Sequence, residues 1–214
     1  MKNVLIIGMG RFGRYCATKL TELGHQVMAV DRNENRVDAS MNYLSNVAIG
    51  DSTRKDFLES LGVEDFDVCI VSIGDDFQSS LETTALLKEL GAKKVISRAS
   101  RDVHQKFLLN NGADEVVYPE RVTAEWTATR VSGDYIMDYI SLDSAHGLFE
   151  IAVPEKWIGK SLAQLDIRRK YNINVVAIKK GDDFITGSDP DTPLTDDLRL
   201  MIIGKNADVL KYVK

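Results

Sequence analysis

The 214-residue chain contains few cysteines, few histidines and no long apolar segment, and each shortage excludes a class of protein. The two cysteines, Cys16 and Cys69, lie in apolar periodic segments, which predicts small core residues in a reducing compartment rather than a disulfide framework or a zinc site. No segment reaches the ~20 apolar residues of a transmembrane helix, and no signal peptide is visible. Any membrane association is therefore expected to depend on a partner.

An excess of basic residues is also absent. Lysine and arginine number 27 against 32 acidic residues, and the net charge of −5 argues against a general nucleic-acid or anionic-membrane surface. Hydrophobic residues make up 44% of the chain and charged residues 28%, which is the balance of a globular protein. The length suits a nucleotide-binding domain followed by a smaller second domain.

Strand-like and helical segments alternate through the first half of the chain. Apolar runs predict strands at 4–8, 26–31, 46–49, 67–73, 94–98 and 115–117, with helical spacing at 11–23, 33–41, 54–60, 77–90 and 101–111. This alternation predicts an α/β fold, a Rossmann-type parallel sheet with helices on both faces. We assign residues 1–135 to this domain, including a crossover helix that starts at Pro119.

The pattern changes after the crossover helix. Strands are predicted at 135–142, 148–153, 173–179, 183–185 and 199–203, with one short helix at 161–171 and a final helix at 207–212. This pattern indicates a small α+β domain over residues 136–214. A domain of this size buries a modest fraction of its surface and often needs a partner.

The first predicted strand leads directly into the sequence GMGRFG and then into a helix. In such a loop Gly8 permits the tight turn, Gly10 lets a phosphate approach the backbone, and Gly13 lets helix and strand pack closely. The loop, with Phe12, is therefore predicted to hold phosphates at the positive end of the helix dipole. Arg11 lies where it can reach a terminal phosphate or an adjacent subunit, and a solvated surface arginine is the alternative.

Polar residues follow three further predicted strands. The second strand ends on Asp31, whose carboxylate suits the ribose hydroxyls and repels a 2′-phosphate. Arg32 beside it would instead favour a 2′-phosphate. Asp51 and Ser52 equally suit helix N-caps. The edge of the sheet where an adenosine would bind also carries two groups of residues, which are Asp51, Ser52 and Thr53, and Ser72, Ile73, Gly74 and Asp75.

Catalytic groups are scarce. A dehydrogenase needs a proton-transfer group opposite the nicotinamide, but His25 lies in a loop away from the ligand edge, His104 on a predicted helix surface and His146 in a turn. No nucleophile–base grouping stands out. Binding without turnover is the better interpretation. The alternatives are an NAD-dependent oxidoreductase and a Rossmann redox-sensing regulator, and the latter lacks a helix-turn-helix or basic arm.

Two sets of motifs occur in order along nearly the whole chain. The first domain contains GMGRFG, AVDRN, VSIGDD and VISRAS, and the second contains GKSLAQLDIRRKYNINVVAIKKG. Together they resemble the N-terminal and C-terminal RCK domains that regulate bacterial potassium uptake systems of the Trk and Ktr type. With one RCK pair and no channel segments, the chain is most similar to the cytosolic gating subunits of Ktr systems.

This resemblance implies a regulatory protein and not an enzyme. Such subunits bind ATP or ADP in the Rossmann site, or NAD(H) in Trk relatives. They form dimers that assemble into an octameric ring under a membrane potassium-translocating subunit, so the resemblance implies a cytoplasmic protein held peripherally at the membrane by that partner. It further implies that Arg11 contacts the γ-phosphate across the dimer and that Asp31 and Asn33 hold the ribose. Arg98 matches the basic residue of the fifth strand, and Glu120 matches a glutamate that helps hold a divalent or monovalent cation near the phosphates.

The resemblance also implies a second ligand site in the smaller domain. Relatives bind cyclic di-AMP at the dimer interface of this domain, which inhibits uptake. The positions of that pocket fall on Leu162, Ile167, Arg168, Asn174, Val175 and Pro190. Arg168 suits a phosphate and Asn174 an adenine edge, whereas the apolar members would belong to the core of any such fold.

Overall fold

Contacts divide the chain into two units in the computed structural model, which describes residues 1–187 and 189–213. The first unit is Met1–Glu120 and the second begins at Arg121. The boundary predicted from the sequence lies instead after residue 135, which keeps the crossover helix in the first domain. The assignment of 1–135 and 136–214 stays a prediction. The second range also contains Ser188 and Lys214, which lie outside the described residues.

The first unit contains the predicted parallel sheet. Its strands run in the spatial order β3-β2-β1-β4-β5-β6, which is the Rossmann order. The strands are β1 (Asn3–Ile7), β2 (Gln26–Asp31), β3 (Asn46–Ile49), β4 (Val68–Val71), β5 (Val95–Arg98) and β6 (Glu115–Val117). The order reverses between β1 and β4, which pair directly. In open α/β sheets a ligand binds beyond the carboxyl ends of the strands at this switch point.

Helices cover both faces of this sheet. They are α1 (Arg11–Glu22), α2 (Glu34–Ser40), α3 (Lys55–Ser60), α4 (Phe77–Glu89) and α5 (Asp102–Asn110), and α6 (Pro119–Val131) follows β6. Alternate residues of β1 enter two separate core clusters: Ile6 packs in the cluster that contains Ala17 of α1, and Ile7 in the cluster that contains Leu87 of α4. This burial on both sides explains why the strands are apolar at successive positions.

The second unit is an antiparallel sheet with short helices, as predicted. Its strands are β7 (Ile136–Ser141), β8 (His146–Ala152), β9 (Ile173–Lys180), β10 (Asp183–Ile185) and β11 (Leu198–Lys205), in the order β10-β9-β11-β8-β7. Its helices are α7 (Leu162–Leu165), α8 (Ile167–Tyr171) and α9 (Asn206–Tyr212). The core contains Phe149, Trp157 and Leu200. Within 1–187 and 189–213, no helix is long and apolar enough to cross a membrane.

Three details differ from the sequence-based expectation. The single helix predicted at 161–171 is two helices, because Asp166 between them has a left-handed backbone with φ 45°. His104, placed on a helix surface, is fully buried, and burial together with the charges of Arg101 and Arg98 lowers its pKa. Cys16 is only partly buried, whereas Cys69 is buried as predicted and burial raises its pKa to about 12.

The turn at Asp166 predicts a stabilising substitution. A non-glycine residue in the left-handed region costs about 1–2 kcal/mol, and Gly costs about 0.5–1 kcal/mol through the unfolded state. Asp166→Gly is therefore expected to raise the free energy of unfolding by about 0.5–1 kcal/mol. Urea denaturation measures this change, and Asp182→Gly in an exposed turn is the control. An unchanged or lower free energy for Asp166→Gly would count against strain at this residue.

Candidate functional site

The glycine loop at the carboxyl end of β1 contains the three glycines in distinct surroundings. Gly8 has φ +98°, a conformation that favours glycine, and its carbonyl accepts a hydrogen bond from the Ser72 hydroxyl. A Cβ on Gly13 would lie 2.0 Å from the Gly8 carbonyl oxygen and 2.6 Å from Ser72 Oγ. At Gly10, by contrast, no described atom lies within 4 Å of the Cβ position. The loop is thus tightly packed at both ends and open in the middle.

The open middle of the loop is the amino end of α1. Gly10 is the N-cap and supplies no side-chain oxygen, and the first turn of this 12-residue helix contains no acidic residue. The first N–H groups of a helix have no partner within the helix. They therefore present hydrogen-bond donors and the positive end of the helix dipole to any anion that approaches Gly10.

Asp31 at the end of β2 holds this loop in place. One carboxylate oxygen accepts a hydrogen bond from the Met9 N–H at 2.6 Å, and the other accepts one from the Asn33 N–H at 2.8 Å. Arg36 Nη1 lies 3.4 Å from the first oxygen. The side chain is only 4% exposed. Asp31 therefore lies at the predicted ribose position and also has a structural role that the sequence did not indicate.

Asn33 and Arg32 have partners of their own. The Asn33 side-chain oxygen accepts a hydrogen bond from the Arg36 N–H at 3.2 Å and so N-caps α2. Arg32 Nη1 lies 3.4 Å from Asp76 Oδ2, and both side chains are exposed. Asp76, absent from the sequence-based site, N-caps α4 through the Ser79 N–H. The Asp-x-x-Ser spacing is the pattern from which this cap was predictable.

The turn after β3 is ordered by its own side chains. Asp51 Oδ1 accepts hydrogen bonds from the Thr53 N–H at 3.0 Å and the Thr53 hydroxyl at 2.7 Å, and these two bonds lower the pKa of Asp51. Ser52 is buried, and its hydroxyl lies 2.8 Å from that of Thr83 on α4. The alternative in which Asp51 or Ser52 caps a helix is wrong, because the N-cap of α3 is Arg54.

The segment after β4 contacts the end of β5. Ser72 is turned towards the glycine loop, and Asp75 is exposed. A Cβ on Gly74 would lie 2.0 Å from Arg98 Nη1, so the Arg98 guanidinium lies directly against the Gly74 backbone. Ile73 is half-buried and packs against the core cluster that contains Ile7 and Leu87. The structure therefore brings the predicted residues of β1, β4 and β5 to one edge of the sheet.

Arg98 forms an ion pair with Glu120, the second residue of α6. Partial burial raises the pKa of Glu120, but hydrogen bonds from its own N–H and from Arg98, with the charges of Arg98 and Arg11, outweigh burial and lower it. Among the described residues, no group of three His, Cys, Asp or Glu side chains is placed to hold a metal ion. The cation predicted at Glu120 therefore stays a prediction.

The residues predicted to bind cyclic di-AMP differ in their exposure. Ile167 is buried in the core, and Leu162 and Val175 are partly buried against it, whereas Arg168 and Asn174 are exposed. The Pro190 carbonyl accepts a hydrogen bond from the Ala163 N–H at 2.9 Å, which places Pro190 beside α7.

Both halves of the chain match known domain families. A model described as the TrkA-N domain matches residues 4–119, and one described as the TrkA-C domain matches residues 148–214. The chain is 38% identical to Ktr system potassium uptake protein C of Bacillus subtilis, over 100% of this chain and 96% of that protein. It is 33% identical to Ktr system potassium uptake protein A of the same organism, over 99% and 95% of the two chains.

Solved structures share the fold. The GsuK channel has a TM-score of 0.73 at 19% identity, covering 99% of this chain and 39% of the channel chain. A structure of the GsuK channel bound to NAD has a TM-score of 0.68, also at 19% identity. At this identity the likeness shows the fold alone. The chain spans about two-fifths of the channel chain but nearly the full length of the two Ktr proteins.

Proposed function

Because this chain belongs to the family of TrkA-N and TrkA-C (RCK) proteins that regulate Ktr potassium uptake, we propose that it senses a nucleotide and thereby gates a membrane potassium transporter. The family is regulatory and not enzymatic, as expected, and the oxidoreductase alternative is wrong. The observation that carries the proposal is the open amino end of α1 at Gly10, beside Arg11.

The carboxyl edge of the parallel sheet in the first unit suits a nucleotide with several phosphates. Phosphate oxygens accept hydrogen bonds from the free N–H groups at Gly10 and the start of α1. Beyond the loop, Asp31 and the turn that follows β3 lie where the ribose and base of a nucleotide bind in this fold. We assign the adenosine to these two elements and the phosphates to the loop.

Arg11 is the side chain that distinguishes ATP from ADP in this proposal. It is exposed, and in the described part of the chain it forms no hydrogen bond or ion pair, although its charge acts on Glu120. A ligand shifts a conformational equilibrium only through contacts that differ between the states. The γ-phosphate is what ATP adds, so its charge-assisted bonds to Arg11, across a dimer, would select one inter-subunit geometry.

Arg11→Ala is expected to leave the ADP affinity nearly unchanged and to remove the preference for ATP, with about a tenfold loss for ATP. Calorimetric titration with both nucleotides measures this. Arg14→Ala removes the same charge from an exposed position one turn further along α1 and serves as the control. An equal loss for both nucleotides in Arg11→Ala, or the same effect in Arg14→Ala, would contradict the role of Arg11.

NAD(H) is the second candidate for this site, because Asp31 at the end of β2 suits the ribose of either nucleotide. Ligands that bind only the folded state raise the melting temperature, and at equal concentration the tighter ligand raises it more. Greater stabilisation by ATP and ADP than by NADH supports a Ktr-type sensor, and dominance of NADH supports a Trk-type sensor.

The same proposal includes the oligomeric assembly of the chain and its membrane partner. The chain forms dimers that build an octameric ring, and the ring lies at the inner face of the membrane against the potassium-translocating subunit of the Ktr system. Glu120 holds a divalent or monovalent cation at the dimer interface, where the γ-phosphate supplies the further oxygen ligands. Small-angle scattering with ATP and with ADP tests this assembly: a ring that changes shape between the two supports gating, and an unchanged monomer refutes it.

Cyclic di-AMP is proposed as a second ligand, bound where residues 136–214 form a dimer. Two observations support it: the polar members of the set, Arg168 and Asn174, are exposed, and the Ala163–Pro190 hydrogen bond places Pro190 next to Leu162. Ile167 contributes packing rather than contact with the ligand, since it is buried. A filter-binding assay with labelled cyclic di-AMP tests the site, and no retention at micromolar protein would refute it.

A further inference from the structure

A basic cavity lies in the second unit, separate from every residue assigned above to a ligand. Its volume is about 400 Å³, within the range of small-molecule sites. It lies beside α7 and α8, and three lysines line it: Lys156, Lys160 and Lys170. None of the described residues that line it is acidic.

The three ammonium groups have no counter-charge in the described residues. Lys156 Nζ donates a hydrogen bond to the Tyr212 carbonyl oxygen, and Lys160 Nζ donates one to the Lys156 carbonyl oxygen, each at 3.0 Å. These acceptors are neutral, and an ammonium group has three donors. Each lysine therefore keeps donors for a ligand, and two of the three are held in position by the backbone.

A buried donor on the same wall also lacks a partner. Trp157 lines the cavity and is fully buried, and its indole Nε1–H has no acceptor among the described residues. Its ring packs against Tyr171, a further lining residue, with ring centroids 5.5 Å apart. The cavity therefore has an aromatic wall beside its lysines.

We propose that this cavity binds a small ligand through a phosphate group. Phosphate oxygens accept charge-assisted hydrogen bonds from several lysines at once. The rings of Trp157 and Tyr171 form an apolar wall for the remainder of the ligand. The site shares no residue with the glycine loop or with the set predicted for cyclic di-AMP, so it does not rest on the function proposed above.

Pyrophosphate is the probe for this site, and Trp157 is its reporter. The chain has two tryptophans, Trp126 and Trp157, so 5-fluorotryptophan labelling gives two fluorine signals that Trp126→Phe assigns. Pyrophosphate added to the full-length protein at physiological salt is expected to move the Trp157 signal saturably. No saturable movement of this signal up to about 10 mM pyrophosphate would exclude a free phosphate compound as the ligand, since that ceiling corresponds to negligible affinity.

The Lys170→Ala variant tests whether pyrophosphate binds to specific lysines or is attracted by the general positive charge of this surface. Lys170 forms no ion pair in the described part of the chain, so its loss should leave stability unchanged while weakening pyrophosphate about tenfold, the effect of one charge-assisted hydrogen bond. The matched control is Arg169→Ala, which removes the same charge from the same helix outside the cavity lining. Less than about a twofold change is expected there, because an exposed charge is screened by salt. Equal losses in the two variants would overturn the proposal.

The phosphate group can belong to a free compound or to a lipid headgroup. A second arm of the experiment therefore replaces pyrophosphate with vesicles of phosphatidylglycerol in phosphatidylcholine. Movement of the Trp157 signal with pyrophosphate supports the site with a free ligand, and movement with the anionic vesicles alone supports it with a headgroup. Movement with neither overturns it.

Discussion

Gly13→Ala is expected to lower the free energy of unfolding of the first unit by more than about 3 kcal/mol. The added Cβ would lie 2.0 Å from the Gly8 carbonyl oxygen and 2.6 Å from Ser72 Oγ. The first of these atoms is backbone and belongs to the turn that Gly8 makes with φ +98°, so it has little freedom to move away. To relieve the overlap, α1 must separate from the carboxyl end of β1. Thermal unfolding followed by circular dichroism should show a drop of about 10 °C or more.

Gly10→Ala is the matched control, because it adds the same methyl group three residues earlier. Gly10 has φ −67°, which alanine adopts freely, and no described atom lies within 4 Å of the new Cβ. The free energy of unfolding should change by less than about 1 kcal/mol, because the reduced freedom of the unfolded chain opposes the preference for glycine over alanine at an N-cap. The methyl group would nevertheless occupy the space that a phosphate needs, so stabilisation by ADP should be lost. If Gly13→Ala were as stable as Gly10→Ala, the close packing of the loop would be refuted.

The sheet and the order of the elements were predictable from the sequence for a physical reason. Strands buried on both faces are apolar at successive positions, and each strand in the first unit is followed by a helix, so few topologies remain. The same reasoning located the glycine loop and Asp31, since both terminate such strands. All of these features depend on the local periodicity of apolar residues, which is strong in this chain.

Features that depend on three-dimensional neighbours were not predictable in this way. His104 has polar spacing within its helix, but Phe77 packs against its ring with centroids 4.9 Å apart and buries it. The break between α7 and α8 depends on the left-handed backbone of Asp166, a conformation that aspartate tolerates but that its residue type does not dictate. The ion pair of Arg98 with Glu120 joins the last residue of β5 to a residue that follows β6. For His104 and for the Arg98–Glu120 pair, tertiary contact decided the outcome.

Asp31 shows how a residue proposed to bind a ligand can also hold the fold. Its carboxylate accepts hydrogen bonds from Met9 in the glycine loop and from Asn33 at the start of α2. It therefore links the glycine loop to the start of α2. A ligand that binds one of these elements consequently finds the other already positioned, which reduces the ordering that binding requires.

Asp31→Asn is expected to lower the free energy of unfolding by about 2–4 kcal/mol, because an amide has one acceptor oxygen where the carboxylate has two. In either orientation the amide NH₂ would face one of the two backbone N–H groups that Asp31 now accepts, at 2.6 Å and 2.8 Å. The site is buried, so water does not compensate. Asp38→Asn, an exposed position on α2, makes the same chemical change and should alter stability by less than about 0.5 kcal/mol. Urea denaturation without nucleotide compares the two variants; equal stabilities would mean that Asp31 serves the ligand alone and does not hold the loop.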